Sequence, residues 1–257
     1  MFGLDPLVFW IAMAVTLFSG FVKGAIGFAM PMIMMSALGS ILSARQALAA
    51  VILPVLLTNV WQALRQGPGP AWQAVCAYRW HIAMVVLFIP VSAMFATRVP
   101  QWVMYALLGV PISLFALWQL AGRSLAIPVH HRRRVEIVTG IVGGLYGGIS
   151  GIWGPPLLVY LLSIRAPKDE QMRAQGVVFC IGAAVLTVSH LQSGLLNQQT
   201  LPLSAVIVIP ALIGMWLGNL AHDRLDVAQF RRWTLILLVL TGLNLMRRAL
   251  ELIGAPV

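Results

Sequence analysis

Apolar residues fall along this chain in blocks much longer than a soluble fold requires. Uncharged runs cover 6–44 (interrupted only by Lys23), 46–64, 82–97, 102–120, 137–164, 174–192, 201–221 and about 229–246. Six of these eight approach the ~20 residues that carry a helix across a hydrocarbon core. The first and the fifth are too long for one helix and too short for two.

Those same two runs are interrupted by glycine and proline. The first reads Gly20-Phe-Val-Lys23-Gly24-Ala-Ile-Gly27-Phe28-Ala-Met-Pro31, and the fifth Gly143-Gly-Leu-Tyr-Gly147-Gly148-Ile-Ser150-Gly151-Ile-Trp153-Gly154-Pro155-Pro156. Proline removes a helix donor and clashes with the preceding turn, and clustered glycine weakens the helix around it. Each run should therefore break near its middle, with Pro31, Pro155 and Pro156 as helix-break positions. Broken backbone at membrane depth is tolerated only inside protein or beside a wet cavity.

The halves resemble one another. Gly24, Gly27 and Pro31 match Gly148, Gly151 and Pro155 at a constant separation of 124. Arg45-Gln-Ala resembles Arg173-Ala-Gln, and Pro90 resembles Pro210. The pattern divides the chain into a first membrane repeat (1–121), a basic linker (122–136) and a second membrane repeat (137–257).

Composition agrees with this class. Of 257 residues, 60% are hydrophobic and 9% charged, and mean hydropathy is +0.90. A soluble domain is nearer 45–50% apolar and about 25% charged. A soluble enzyme, a disulfide scaffold and a disordered chain are excluded, leaving an all-α polytopic membrane protein. The net charge of +10 then reads as orientation signal and lipid-headgroup contact, not nucleic-acid binding. Cys76 and Cys180 suggest neither a disulfide nor a metal site. The N-terminus lacks the basic region and cleavage pattern of a removable signal peptide.

Loop charge selects among topologies. If all eight segments cross once, the two sides receive equal numbers of Lys and Arg, 8 each, and no orientation is encoded. If segments 1 and 5 each enter and return on one side, the division becomes 12 against 4. By the positive-inside rule this puts the linker in the cytoplasm and the N-terminus, with Asp5, in the periplasm. It also makes the two repeats inverted, with broken hairpins meeting near the midplane, a recurring plan of secondary transporters.

Lys23 is the most informative single residue, because an ammonium at membrane depth costs about 2.5–3.5 kcal/mol on insertion scales. It adjoins the first break and reads as an anion-binding or gating cation, or else as a snorkelling lysine. Gly24–Gly27 and Gly148–Gly151 would present backbone N–H groups at half-helix N-termini, which bind anions; the competing reading is close helix packing. Ser150 adds a hydroxyl at the second break. Asn59 and His190 lie late in segments 2 and 6, with Gln62 near Asn59, and these could line the path, although an interfacial role suits His190 better. Trp61, Trp72, Trp80, Trp102, Trp118 and Trp233 fall near segment ends as an aromatic belt. Trp153 lies inside the second motif and could close over a substrate. Pro54, Pro90, Pro111 and Pro210 should kink their helices. No enzyme constellation or cofactor site is present, and no carboxylate falls inside an apolar run, which favours an anionic solute.

The stretch from Gly20 to Phe28 followed by Pro31 resembles the N-terminal signature of the sulfite exporter TauE/SafE family. The stretch Gly147-Gly-Ile-Ser150-Gly151-Ile-Trp-Gly154-Pro155-Pro156-Leu-Leu-Val-Tyr160-Leu resembles its second-half motif. The family often has glycine where this chain has Ala29, and a glycine pair where it has Trp153-Gly154. The resemblance implies a permease of the bacterial inner membrane that moves sulfite, sulfoacetate or other organosulfonates, and leaves import or export open. Residues and resemblance together nominate Lys23, Gly24, Gly27, Phe28, Asn59, Ser150, Gly151, Trp153, Gly154 and His190 as substrate-binding, in an alternating-access exporter of small sulfur-containing anions. An anion channel and a non-transporting membrane scaffold are the alternatives. Partners beyond the anion and the lipid bilayer, namely a coupling H+ or Na+ and a second copy of the chain, are left open.

Overall fold

A computed structural model describes residues 4–122, 131–221 and 226–254. Every regular element among them is a helix: α1 (Pro6–Ile26), α2 (Met30–Gly39), α3 (Ala44–Leu64), α4 (Pro68–Ala77), α5 (Arg79–Ala93), α6 (Gln101–Leu120), α7 (Arg132–Ser150), α8 (Gly154–Ser163), α9 (Lys168–Gln192), α10 (Leu201–Val206), α11 (Val208–Ala221) and α12 (Val227–Gly254). Arg123, most of the expected linker and Arg224 lie outside the described residues.

Local chemistry sets the helix ends. Asp5 caps α1 by accepting the Leu7 N–H at 2.7 Å, and Pro6 occupies the first turn, where a missing donor costs nothing. Gly27 (φ +83°) ends α1 and Gly151 (φ +72°) ends α7, each donating its N–H four residues back, to Lys23 O and Gly147 O. The left-handed conformation that closes such a turn favours glycine. Pro31 and Pro155 then open the short helices α2 and α8. Both long runs therefore break where glycine and proline predict.

Among the described residues, five helical stretches are long and apolar enough to cross a membrane alone: α1, α3, α6, α9 and the stretch Leu201–Ala221 that holds α10 and α11. α4 and α5, bent by 81°, make a sixth. Of the six segments expected near spanning length, the last, 229–246, is not among them, and the long first and fifth runs each become two helices. α2 and α8 are half-length, α7 opens with Arg132, Arg133 and Arg134, and α12 carries basic residues at both ends. Helix α7 also begins inside the expected linker, and this buries Glu136, whose carboxylate accepts the N–H groups of Trp80 and His81 at the start of α5 (3.1 and 3.2 Å). Pro54, Pro90 and Pro111 sit within continuous helices. The outer surface stays apolar, with Leu7, Trp10, Phe18, Leu87, Leu114, Ile209 and Leu240 exposed, as a lipid-facing surface requires.

Each broken hairpin returns to the end where it began. Leu4, ahead of α1, shares a pocket with Gln46 at the start of α3. The last carbonyls of α2 are held at that same end, where Arg248 donates to Gly39 O and Tyr105 OH donates to Leu42 O (3.2 Å). The second hairpin behaves likewise at the opposite end. Arg132 at the start of α7 donates to the Tyr160 hydroxyl late in α8 at 3.2 Å, and Tyr160 donates to Glu136 at 3.4 Å. The limbs are unequal: at 1.5 Å per residue, α1 is about 31 Å long and α2 about 15 Å.

Glycines hold the hairpins in place. Gly20 and Gly24 of α1 face Gly214 and Gly218 of α11 so closely that a Cβ on any of them would strike backbone of the other helix. Gly140, Gly144 and Gly148 of α7 likewise lie against α5, where a Cβ would meet it at 2.8 Å or less. Small residues at this spacing let helix backbones approach in lipid. Gly214→Val should therefore lower stability by about 1–3 kcal/mol through overpacking, read as a reduced unfolding temperature in detergent. Gly69→Ala, with open space around it, should leave that temperature unchanged.

Candidate functional site

The tips of the two hairpins lie side by side and bound a small cavity of about 30 Å³. The first break contributes Lys23, Phe28, Ala29 and Pro31, and the second Gly151, Trp153, Gly154 and Pro155; α3 adds Asn59, α6 adds Phe115, and α9 adds Gln175 and Phe179. The wall is aromatic and apolar apart from Lys23, Asn59 and Gln175, and no carboxylate lines it.

Lys23 is 2% exposed. Its Nζ donates to Thr58 Oγ1 at 3.0 Å and to Asn59 Oδ1. Asn59 is anchored in turn, because its Nδ2 donates to Phe179 O at 3.2 Å across to α9. An ammonium has three donors, so one remains after Thr58 and Asn59 are satisfied. Ala29 and Trp153, the residues ahead of α2 and α8, have backbone N–H groups with no hydrogen-bond partner among the described residues. The Trp153 indole Nε1 is also buried without a partner. A lysine, two helix N-termini and orphan N–H donors on one cavity make a donor-rich site with no acid beside it among the described residues.

The glycine clusters do something other than the sequence pattern suggests. Gly24–Gly27 and Gly148–Gly151 occupy the C-terminal turns of α1 and α7, so the helix N-termini at the site belong to Met30 and Gly154 instead. Gly24 and Gly148 serve helix contact, for the steric reason above. Ser150 is spent on the turn itself: its Oγ donates to Tyr146 O at 2.7 Å and accepts the Ile152 N–H at 3.1 Å. Ala29, where the family often has glycine, adopts φ +75°, a conformation that costs a side-chain-bearing residue roughly 1–2 kcal/mol.

A second opening lies on the other side of Lys23. This vestibule is lined by Lys23, Gly24, Gly27, Gln62, Arg65, Gln66, Arg173 and Asn219. Gln62 straps its floor, with Nε2 donating to Gly27 O at 3.0 Å and to Met172 O at 3.5 Å. At its rim Arg65 donates to Asn219 Oδ1 at 3.0 Å. Lys23 is the wall that cavity and vestibule share.

Of the nominated residues, Lys23, Phe28, Asn59, Gly151, Trp153 and Gly154 come together on the cavity, with Pro31 and Pro155; Gly24 and Gly27 line the vestibule. Pro156 faces an outward apolar groove beside α6. His190 is fully buried, with Nδ1 3.3 Å from Ser193 Oγ and no partner for Nε2, and lines neither opening. Gln175, Phe115 and Phe179 escaped the sequence reading, because each sits in an ordinary helical run. Gln62, expected to line the path beside Asn59, lies on the vestibule.

Comparison with known proteins identifies a family. The family described as "Sulfite exporter TauE/SafE" matches residues 12–245. No curated protein and no solved structure matches the chain.

The Lys23 contacts make a two-part prediction. Asn59→Leu strands a buried ammonium with one acceptor fewer and should cost about 1–3 kcal/mol, read as a lower unfolding midpoint in detergent. The double variant Lys23→Met with Asn59→Leu should recover most of that loss, because no charge is left to satisfy.

Proposed function

This chain belongs to the sulfite exporter TauE/SafE family, and we propose that it exports small sulfur-containing anions such as sulfite, sulfoacetate or other organosulfonates by alternating access. The observation that carries this reading is the central cavity: Lys23 and two helix N-termini converge on it, and no carboxylate does. An oxyanion held there takes the free ammonium donor and the unpaired amides of Ala29 and Trp153. The aromatic walls cover the rest of the molecule and exclude water.

The two hairpins are inverted repeats in this proposal, and the packing supports it. Gly24 on Met215 and Gly218 of α11 has its counterpart in Gly148 on Ile89 and Ser92 of α5. Gly27 beside Met172 of α9 has its counterpart in Gly151 beside Leu48 of α3. Arg65, Arg79, Arg132–Arg134, Arg165, Arg173, Arg231 and Arg232 gather at one end, and Arg45, Arg98, Arg247 and Arg248 at the other. The positive-inside rule puts the first end in the cytoplasm of a bacterial inner membrane and the N-terminus in the periplasm. The vestibule at Arg65 and Arg173 is then the cytoplasmic mouth.

Purified protein in liposomes tests the proposal. Sulfite or sulfoacetate flux should saturate and show counterflow, and the transported anion should raise the unfolding temperature. Lys23→Met should lower flux at least about tenfold, corresponding to the ~1.4 kcal/mol or more that a charge-assisted hydrogen bond contributes, while the protein remains folded. Flux without saturation would identify a channel, and absence of flux for every sulfur anion a scaffold. Unchanged flux in Lys23→Met would remove Lys23 from the site.

A further inference from the structure

The two hairpins correspond at a separation of 124 residues, yet their bulky side chains stand at opposite places. In the first half the helix carries Lys23, which reaches Thr58 and Asn59 on α3, and the break carries the small Ala29. In the second half the helix position is Gly147, the α9 positions are Gly182 and Ala183, and the break carries Trp153. The indole fills the space that these small residues leave. A Cβ placed on Gly147 would stand 3.1 Å from Trp153 Cβ, and one on Gly182 would stand 2.8 Å from its Nε1. Trp153 thus holds, in the second half, the place that Lys23 holds in the first.

The same shift applied to the vestibule walls gives a second set of residues. Gln62, Arg65 and Gln66 become Leu186, Ser189 and His190, and Met172 becomes Leu48. Met215, which meets Gly24, has its counterpart by contact in Ile89, which meets Gly148, at a separation of 126. In the first set Arg65 and Gln66 are exposed, Gln62 and Met172 half-buried and Met215 buried, whereas all five counterparts are buried.

We propose that these counterparts are the wall of a second vestibule, collapsed in this state, and that the Trp153 indole is the door between it and the central cavity, as Lys23 is the door at the basic end. The proposal rests on the alternating-access reading above, in which inverted halves exchange shapes. When they do, the stretch 186–190 becomes wet and the Arg65 vestibule closes. The His190 Nε2 and Trp153 Nε1, both buried without partners here, are the donors and acceptors that water or anion then meets. The mouths differ in charge at one position, where Arg65 has Ser189 as its counterpart. Electrostatic capture of anions is therefore stronger from the basic end.

Cysteine labelling in liposomes tests this without knowledge of the cargo. The native thiols are removed as Cys76→Ser and Cys180→Ser, and Gln66→Cys or Ser189→Cys is introduced singly. The probe is a membrane-impermeant methanethiosulfonate bearing a trimethylammonium group. Gln66→Cys should label rapidly whatever stands at 153. Ser189→Cys should label slowly with Trp153 or Trp153→Phe, and about tenfold faster with Trp153→Ala, within the range open to a minor state populated at 0.1–10%. If Trp153→Ala does not fold, Trp153→Leu, which leaves an apolar side chain but no ring on Gly182, makes the same comparison. Equal Ser189→Cys rates across the series overturn the door, as does a Gln66→Cys that fails to label. Anion flux without a Ser189→Cys response overturns the door and spares the carrier reading. A response without flux of any sulfur anion supports the door and overturns the assigned cargo.

Discussion

A helix that stops inside a bilayer leaves backbone N–H and C=O groups where lipid offers no partner. Two helices of this protein stop within its buried apolar interior, where the same shortage holds, after Ile26 and after Ser150, and the arrangement of the rest follows from that constraint. The broken tips must be enclosed by protein, and they are enclosed by each other and by α3 and α9. Some of the freed groups are satisfied: Gly27 O by Gln62, the Ile152 N–H by Ser150. The amides of Ala29 and Trp153 are not, and both residues face the central cavity. A cavity lined by unsatisfied donors and a lysine is a costly interior unless a guest with negative charge occupies it.

The enclosure depends on close approach. The glycines of α1 against α11, and of α7 against α5, clamp the long limb of each hairpin to a helix from the other half of the chain. The halves therefore interlock instead of lying side by side. This moves much of the polar chemistry to cross-half contacts: Asn59 with Phe179 O, Gln62 with Met172 O, Arg65 with Asn219, Arg248 with Gly39 O. Lys23 lies at the centre of this set. Its partners on α3 hold the tip of α1 at a fixed register, and its side chain divides the cavity from the vestibule.

Much of this was legible in the chain. Hydropathy marked the apolar runs, and glycine with proline marked both breaks to within a few residues, because those residues act through their own backbone. Lys23 announced itself by its cost in an apolar run. The glycine clusters were read for the wrong geometry, since a helix C-terminus and the N-terminus of the next helix lie three residues apart and composition alone does not separate them. Glu136 was assigned to a linker because three arginines precede it; only the packing of α7 against α5 shows that its carboxylate caps the latter.

Sequence by itself determined the solvent this protein lives in, where its backbone must break, and that a cation stands beside the first break. These are properties of single residues and their near neighbours. Tertiary structure alone decided which residues meet at the break: that Asn59 and Thr58 hold Lys23, that Gln175, Phe115 and Phe179 complete the wall, and that His190 stays out of it. Those positions come from helices distant in the chain, and their meeting is set by how closely glycine lets the helices approach.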